Sequence, residues 1–257
     1  MSAEEIVIVG GGLAGGAAAA MLARARLTAH LLEREAEPRH KICGEFLSGE
    51  AQSHLAALGL DLSQLGGVPI DKVRLAAGAR VVESPLPFAA LGLTRLALDE
   101  ALLRHAERLG ARIERGVAAR AVGPTGVETA AGCIRAPTVL LASGKHDIRG
   151  VRRETAGTLG GLIGFKAHFR LAAAQARALA GYVELVLFDG GYAGLQMVEG
   201  GLANLCLLVS AERFEAVGRT WPALLAALTA EPHMARRLAD ADCVFDRPVS
   251  IFDVPYG

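Results

Sequence analysis

The chain has 257 residues, 52% of them hydrophobic, and its 27 Lys+Arg balance 27 Asp+Glu. That length supports a sizeable core and one or two closely packed domains. The zero net charge excludes a partner held by bulk electrostatics, so neither nucleic acid nor an anionic membrane surface is expected.

Ile6–Val9 is a short β-branched run of the kind that forms a buried parallel strand. Gly10, Gly12 and Gly15 follow as G-x-G-x-x-G, and the Ala-rich stretch Ala17–Ala25 reads as a helix. Gly10 permits the tight turn, Gly12 lets the backbone approach a pyrophosphate, and Gly15 lets the helix pack close on the sheet. Leu13 and Ala14 lie within the same turn. The first-turn amides of the helix lack partners, and its dipole favours an anion there. A second apolar run, Leu27–Leu32, ends at Glu33, 23 positions after Gly10. Its carboxylate can accept hydrogen bonds from both hydroxyls of an adenosine ribose and repels a 2′-phosphate. The unit is therefore expected to bind FAD or NAD and not NADP. Ile6 to Ala23 is uncharged and long enough for a membrane span. Five glycines interrupt it, however, and Glu4 and Glu5 precede it where a secretory leader carries Lys or Arg. No integral membrane segment is expected.

Arg34–Lys41 is polar, and helical periodicity runs from Gly49 to Leu58, stopping at Gly59. Lys72–Ala76 and Arg80–Val82 are strand-like runs in a Pro/Gly-broken region, read as a β-excursion over residues 71–92. Leu96–Leu109 is an amphipathic helix with Leu98, Leu102 and Leu109 on one face, ended by Gly110. Ala111–Glu114 reads as a third parallel strand. Two or three short strands follow, with turns at Gly123-Pro124 and Ala131-Gly132. Thr138–Ala142 then reads as another buried strand, leading into Ser143-Gly144. From about Gly161 the pattern alternates. Leu162–Phe169, Tyr182–Phe188, Gly194–Val198 and Ala203–Val209 read as antiparallel strands, with Asp189-Gly190-Gly191 and Glu199-Gly200-Gly201 as turns. Trp221–Leu228 and His233–Ala241 read as helices, Pro222 taking a permitted first-turn position. Cys43, Cys133, Cys206 and Cys243 are scattered, and the seven histidines form no H-x-x-x-H or H-E-x-x-H pattern. Neither a disulfide nor a metal site is expected, and a reducing cytoplasm is the expected location.

The order of motifs resembles the FAD-dependent oxidoreductases related to geranylgeranyl reductases, flavin halogenases and aromatic hydroxylases. The resemblance spans essentially the whole chain. It is carried by GGGLAGGAAA with LLERE, by RHKICGEFLSGEA, TRLALDEALLRHAERLGA and VLLASGKHDIRGVRR, and by GLIGFKAHFRL. It implies an α/β fold: a Rossmann-like FAD-binding domain over residues 1–70 and 93–158, with an inserted, mostly antiparallel β-sheet substrate domain over 159–257. It further implies that Gly10, Gly12, Gly15 and Glu33, with Arg34 beside it, hold the ADP portion. Arg39 and Lys41 match basic residues near the flavin phosphates or ribityl, and Cys43-Gly44-Glu45 matches a stretch passing close to the flavin. Arg95 matches an arginine that contacts the cofactor. Val117 takes the place of a main-chain contact to adenine, and Ser143 and Gly144 end a strand beside the FAD.

Each of these residues also has a purely structural reading. Arg39 and Lys41 can be a solvated loop pair, Cys43 a small residue filling a turn, and Arg95 the partner of Asp99 at i,i+4. His146 is a candidate catalytic group or part of a surface turn, and Tyr192 and Phe165 either line a substrate cavity or fill core. Two departures stand out. The strand at Thr138–Ala142 ends in Ser143-Gly144 where aromatic hydroxylases often have Asp-Gly. No Gly-Asp dipeptide occurs anywhere in the chain, although the family's ribityl-binding aspartate lies in one. The last residues, Ile251 to Gly257, resemble the segment just upstream of that motif, so the chain is expected to be incomplete at its C-terminus relative to the family.

The expected chemistry is hydride transfer through the flavin on a small hydrophobic organic substrate, reductase- or monooxygenase-like, with NADH or NADPH as candidate electron donor. No catalytic acid or base can be named. The alternatives are a weakly FAD-binding, non-catalytic remnant and an NAD-dependent dehydrogenase.

Overall fold

The computed structural model describes residues 6–145, 147–151 and 160–252. His146, and the segment from Asp253 onward, lie outside them. In chain order the elements are β1 (Ile6–Val9), α1 (Leu13–Arg24), β2 (Ala29–Glu33), β3 (Phe46–Leu47), α2 (Gly49–Ala57), β4 (Val68–Ala77), β5 (Arg80–Gly92), α3 (Arg95–Arg108), β6 (Arg112–Arg115), β7 (Ala121–Gly123), β8 (Gly126–Thr129), β9 (Gly132–Arg135) and β10 (Thr138–Leu141). There follow β11 (Leu162–Arg170), α4 (Ala173–Leu179), β12 (Gly181–Phe188), β13 (Gly191–Val198), β14 (Leu202–Ser210), α5 (Ala211–Ala216), α6 (Trp221–Leu228), α7 (Pro232–Arg237), β15 (Asp242–Cys243) and β16 (Val249–Ile251). The chain divides into two compact units, one of residues 1–39, 53–62 and 95–155, the other of residues 40–52, 63–94 and 156–257.

The first unit is built on a parallel sheet in the order β10-β1-β2-β6. Val7, Val9 and Leu32 point to one face and meet Val127 and Ala136 of the antiparallel β7-β8-β9 sheet. Ile8 and Leu31 point to the other face, towards α1, because neighbouring strand residues alternate in direction. A Cβ on Gly16 would lie 2.9 Å from Cγ of Leu102, so α1 and α3 touch where a side chain is missing. Helix α1 starts at Leu13, earlier than its Ala-rich stretch predicts, since the glycines complete its first turn. Strand β10 corrects an expectation: it is apolar in sequence, but among the described residues it is an edge strand, and Leu140 and Leu141 are exposed, at 37% and 42%. Periodicity cannot distinguish a strand buried on both faces from one lacking an outer neighbour.

The second unit is one large, mostly antiparallel sheet, ordered β15-β11-β14-β13-β12-β4-β5-β3, with β16 also on β11. Among the described residues its one parallel pairing is that of β12 with β4. The stretch expected as an excursion at 71–92 is thus part of a long β4–β5 hairpin belonging to this sheet. One face carries the core: Phe165, Leu195, Leu205 and Leu207, covered by Phe214 of α5, Leu224 and Leu228 of α6 and Met234 of α7. Phe165 stacks on Trp221 with centroids 5.8 Å apart, so it fills core, while its register places Tyr192 on the opposite face. Helix α7 ends at Arg237, before the predicted Ala241. Helices α4 and α5, too short to show a period, were not expected. Among the described residues, no helix is long and apolar enough to cross a membrane.

Candidate functional site

In the first unit the glycines build a turn that excludes side chains. Gly10 has φ +107°, and a Cβ there would lie 2.4 Å from the carbonyl oxygen of Ala142. A Cβ on Gly15 would lie 1.8 Å from the carbonyl oxygen of Gly10. Gly12 is the N-cap of α1 and is extended, and no side chain caps the helix. The first-turn amides of α1 therefore have no side-chain acceptor, which is the arrangement that receives an anion. Leu13 is half-buried and Ala14 exposed at this end.

Glu33 closes the C-terminal end of β2 and is 8% exposed. Its Oε2 accepts the Gly11 amide at 2.6 Å and its Oε1 accepts the Glu35 amide at 3.0 Å. Two backbone donors thus fix the carboxylate in orientation, and each oxygen keeps a lone pair for a further donor. The Val117 amide donates to the carbonyl of Glu33 at 3.0 Å, leaving only the Val117 carbonyl for a ligand. Ser143 borders Gly10, with its Cα 3.2 Å from the Gly10 Cβ position, and Gly144 follows at φ +65°. Gly10, Gly12, Leu13, Ala14, Gly15, Glu33, Ser143 and Gly144 therefore gather at one end of the parallel sheet.

The basic candidates are engaged with acids. Glu35 accepts from Arg34 and from Arg39, each at 3.0 Å. Arg95 grips Asp99 through two bonds, of 2.7 and 3.0 Å. Lys41, Cys43 and Gly44 belong to the second unit.

In that second unit they border a buried polar cluster. Glu45, a non-glycine at φ +56°, follows Gly44 in a turn laid over the sheet face opposite the core. Three strands hold the turn. Asn204 of β14 donates to the Gly44 carbonyl at 2.8 Å, and Gln196 of β13 donates to the Glu45 carbonyl at 2.7 Å. Lys166 and His168, two apart on β11 and so on the same face, engage the Glu45 side chain. Lys166 Nζ donates to Oε1 and also, at 3.2 Å, to the Lys41 carbonyl, while His168 Nε2 lies 2.8 Å from Oε2. Cys43 Sγ accepts the Glu45 amide at 3.4 Å. His40 and Phe245 pack on this group, with ring centroids 4.7 to 4.8 Å apart. Burial first, then the neighbouring His168 and Lys166, push His40 down to about 4, against a smaller opposing pull from Glu45.

No protein-family model matches the sequence, and no curated protein matches it. Solved structures do. A flavoprotein/dehydrogenase from Cytophaga hutchinsonii superimposes with TM-score 0.82 at 18% identity, over 97% of this chain and 66% of that one. The flavin-dependent brominase Bmp2 gives 0.78 at 18%, over 97% and 67%. The myxobacterial chondrochloren halogenase CndH, an FAD-dependent halogenase, gives 0.80 at 22%, over 98% and 64%. The fold is shared with FAD-dependent halogenases. The chain spans about two thirds of the length of these neighbours.

The glycine turn fits the ADP portion of such a cofactor, because glycine at 10 and 15 lets strand, turn and helix backbone pack together without a side chain, and the N-terminus of α1 that this exposes carries no side-chain cap. The polar cluster escaped the sequence reading: Gly44, Glu45, Lys166, His168, Gln196 and Asn204 are drawn together from positions up to 160 apart. The signal that could have exposed it is Lys166 and His168 on one face of an otherwise apolar strand, GFKAHF.

A second ionic cluster lies on the helix-covered face. Glu184 of β12 is fully buried, accepting from Arg74 and His233 and from Arg237 at 2.8 to 3.0 Å. Burial alone raises the Glu184 carboxyl, but the Arg237 and His233 hydrogen bonds and charges outweigh it and hold the group below the ordinary carboxylate range. Arg237 also reaches Gln175 of α4, so this cluster ties α4 and α7 to the sheet.

Proposed function

We propose that this chain is the cofactor- and substrate-binding portion of an FAD-dependent oxidoreductase acting on a small hydrophobic organic molecule. The observation that carries the reading is the conjunction at the sheet end of the first unit. A side-chain-free turn opens helix α1, and the Glu33 carboxylate is fixed by two backbone amides beside it. The unpartnered amides of α1 receive the pyrophosphate, and Glu33 accepts the ribose hydroxyls. The Val117 carbonyl is the main-chain group left for the adenine. FAD, when bound, supplies the hydride chemistry; the protein supplies binding, orientation and exclusion of water. The fold shared with flavin-dependent halogenases supports FAD over NAD as the occupant. NADH or NADPH is the electron donor in this proposal.

The test is the visible spectrum of the purified chain titrated with FAD, and separately with NADH. Stoichiometric flavin absorbance with quenched flavin fluorescence is expected. A chain that binds NADH and leaves FAD free overturns the reading. A second reading, a chain that holds FAD weakly and does not turn over, draws on the uncovered apolar edge at Leu140 and Leu141. It is supported if flavin binds but is not reduced by NADH or NADPH.

A further inference from the structure

His40, Glu45 and His168 each offer one donor atom, and the three atoms lie within 4.8 Å of one another. Glu45 and His168 are buried, at 2% and 1% exposure, and His40 is half-buried. We infer that these three residues form a binding site for a divalent transition-metal ion, zinc or iron(II) in chemical class, with coordination positions left open.

The donor set is the first argument. Two imidazoles and one carboxylate suit borderline divalent ions, and three protein ligands leave room for water or another small donor. The second is geometry. His168 Nε2 and Glu45 Oε2 already approach to 2.8 Å, so the ion exchanges places with the hydrogen bond between them. Bonds of about 2.0–2.2 Å space tetrahedral donors roughly 3.3–3.6 Å apart, so a separation at the 4.8 Å limit contracts by about 1.2–1.5 Å. His40 can supply that movement, since it lies on a loop between strands, and its Nδ1 is buried with no hydrogen-bond partner.

The third argument is the surrounding shell. Asn204 and Gln196 fix the Gly44–Glu45 backbone, and Phe245 walls both imidazoles, as ligands held in advance require. Lys166 engages Oε1 and so leaves Oε2 as the coordinating oxygen. Its positive charge opposes that of the ion, which makes Lys166 the residue that sets affinity.

The site is tested without flavin or substrate. The chain is stripped with chelator, returned to metal-free buffer and titrated with Co2+ alone, following its visible absorption. Binding of one Co2+ per chain is expected. His40→Ala is the deciding variant, because His40 is half-buried on a loop and its loss leaves the Glu45 pairs intact. It lowers Co2+ affinity roughly tenfold or more while the metal-free chain melts as the wild type does. Lys166→Met raises the affinity. Absence of a saturable Co2+ spectrum in both the wild type and Lys166→Met overturns the inference, as does a His40→Ala chain that binds as tightly as the wild type.

Discussion

The glycine turn of the first unit and the buried ionic clusters of the second are opposite solutions to placing chemistry on a sheet. The turn works by what is missing: Gly10 and Gly15 stand where a Cβ would strike backbone oxygen at 2.4 and 1.8 Å, and the polar groups on offer are mostly main-chain amides. The clusters work by what is present, since Glu45 and Glu184 are fully enclosed and each is matched by side chains from distant strands or helices. Adding atoms should therefore break the turn and removing atoms should break the clusters.

The largest effect is expected at Glu184. Glu184→Ala leaves Arg74 and Arg237 facing a buried vacancy, and breaking one side of a buried ion pair costs about 3–5 kcal/mol. Urea unfolding measures it, and a loss below about 1 kcal/mol would show that water reaches the cluster. The pH dependence has a definite sign. Because the folded carboxyl titrates below its ordinary value of 4.5, its contribution is complete above pH 4.5. It is lost as pH falls through the folded value. The gap between wild type and Glu184→Ala should therefore be flat at neutral pH and close in acid below 4.5.

Gly15→Ala tests the other half of the contrast. One methyl is added where the Gly10 carbonyl cannot move without opening the turn, and overpacking of this kind costs about 1–3 kcal/mol. FAD affinity should fall with it. Unchanged flavin binding in a Gly15→Ala chain would mean that the turn does not hold the cofactor. Ala14→Ser, a change at an exposed position of the same turn, is the control and should leave stability within about 0.5 kcal/mol.

How much could be read from the sequence follows the same divide. The turn, Glu33 and the run of strands and helices were legible because each is a local pattern: three glycines, one acid, one period. Trp221–Leu228 was placed to the residue, since an apolar run and a first-turn proline coincide, and in the structure Thr220 caps that helix. Strand β10 was misread as buried because burial depends on what lies beside a strand. The Glu45 cluster was not seen because no local rule joins a turn at 43–45 to β11, β13 and β14. Lys166 in particular is fully buried, which composition argues against for any lysine, and only its partner explains it.

Glu33 is where the two designs meet, a buried side chain serving a backbone turn. Glu33→Gln keeps the shape but turns an amide N–H2 towards one of the two backbone donors at Gly11 and Glu35. It also removes the negative charge that the proposed ribose would meet. A loss of roughly tenfold in FAD affinity is expected, corresponding to about 1.4 kcal/mol, the scale of one hydrogen bond to a charged group. Isothermal titration with FAD checks it, and an unchanged dissociation constant would remove Glu33 from the ribose site.

Arg39 should give the smallest effect and the finest discrimination. Its guanidinium meets Glu35 at 3.0 Å, but the side chains are 44% and 33% exposed, and Glu35 also holds Arg34. An exposed pair of this kind is worth about 0–1 kcal/mol, so Arg39→Ala should barely move the urea midpoint. Whatever FAD affinity it loses then reports on the cofactor alone, because the fold is not disturbed. Salt distinguishes the two roles. A contact to the cofactor phosphates makes the wild-type FAD affinity fall with ionic strength more steeply than that of Arg39→Ala, as screening weakens exposed charge pairs. Parallel salt dependences would confine Arg39 to its pair with Glu35, and the anion would then be held by the turn's backbone without help from this side chain.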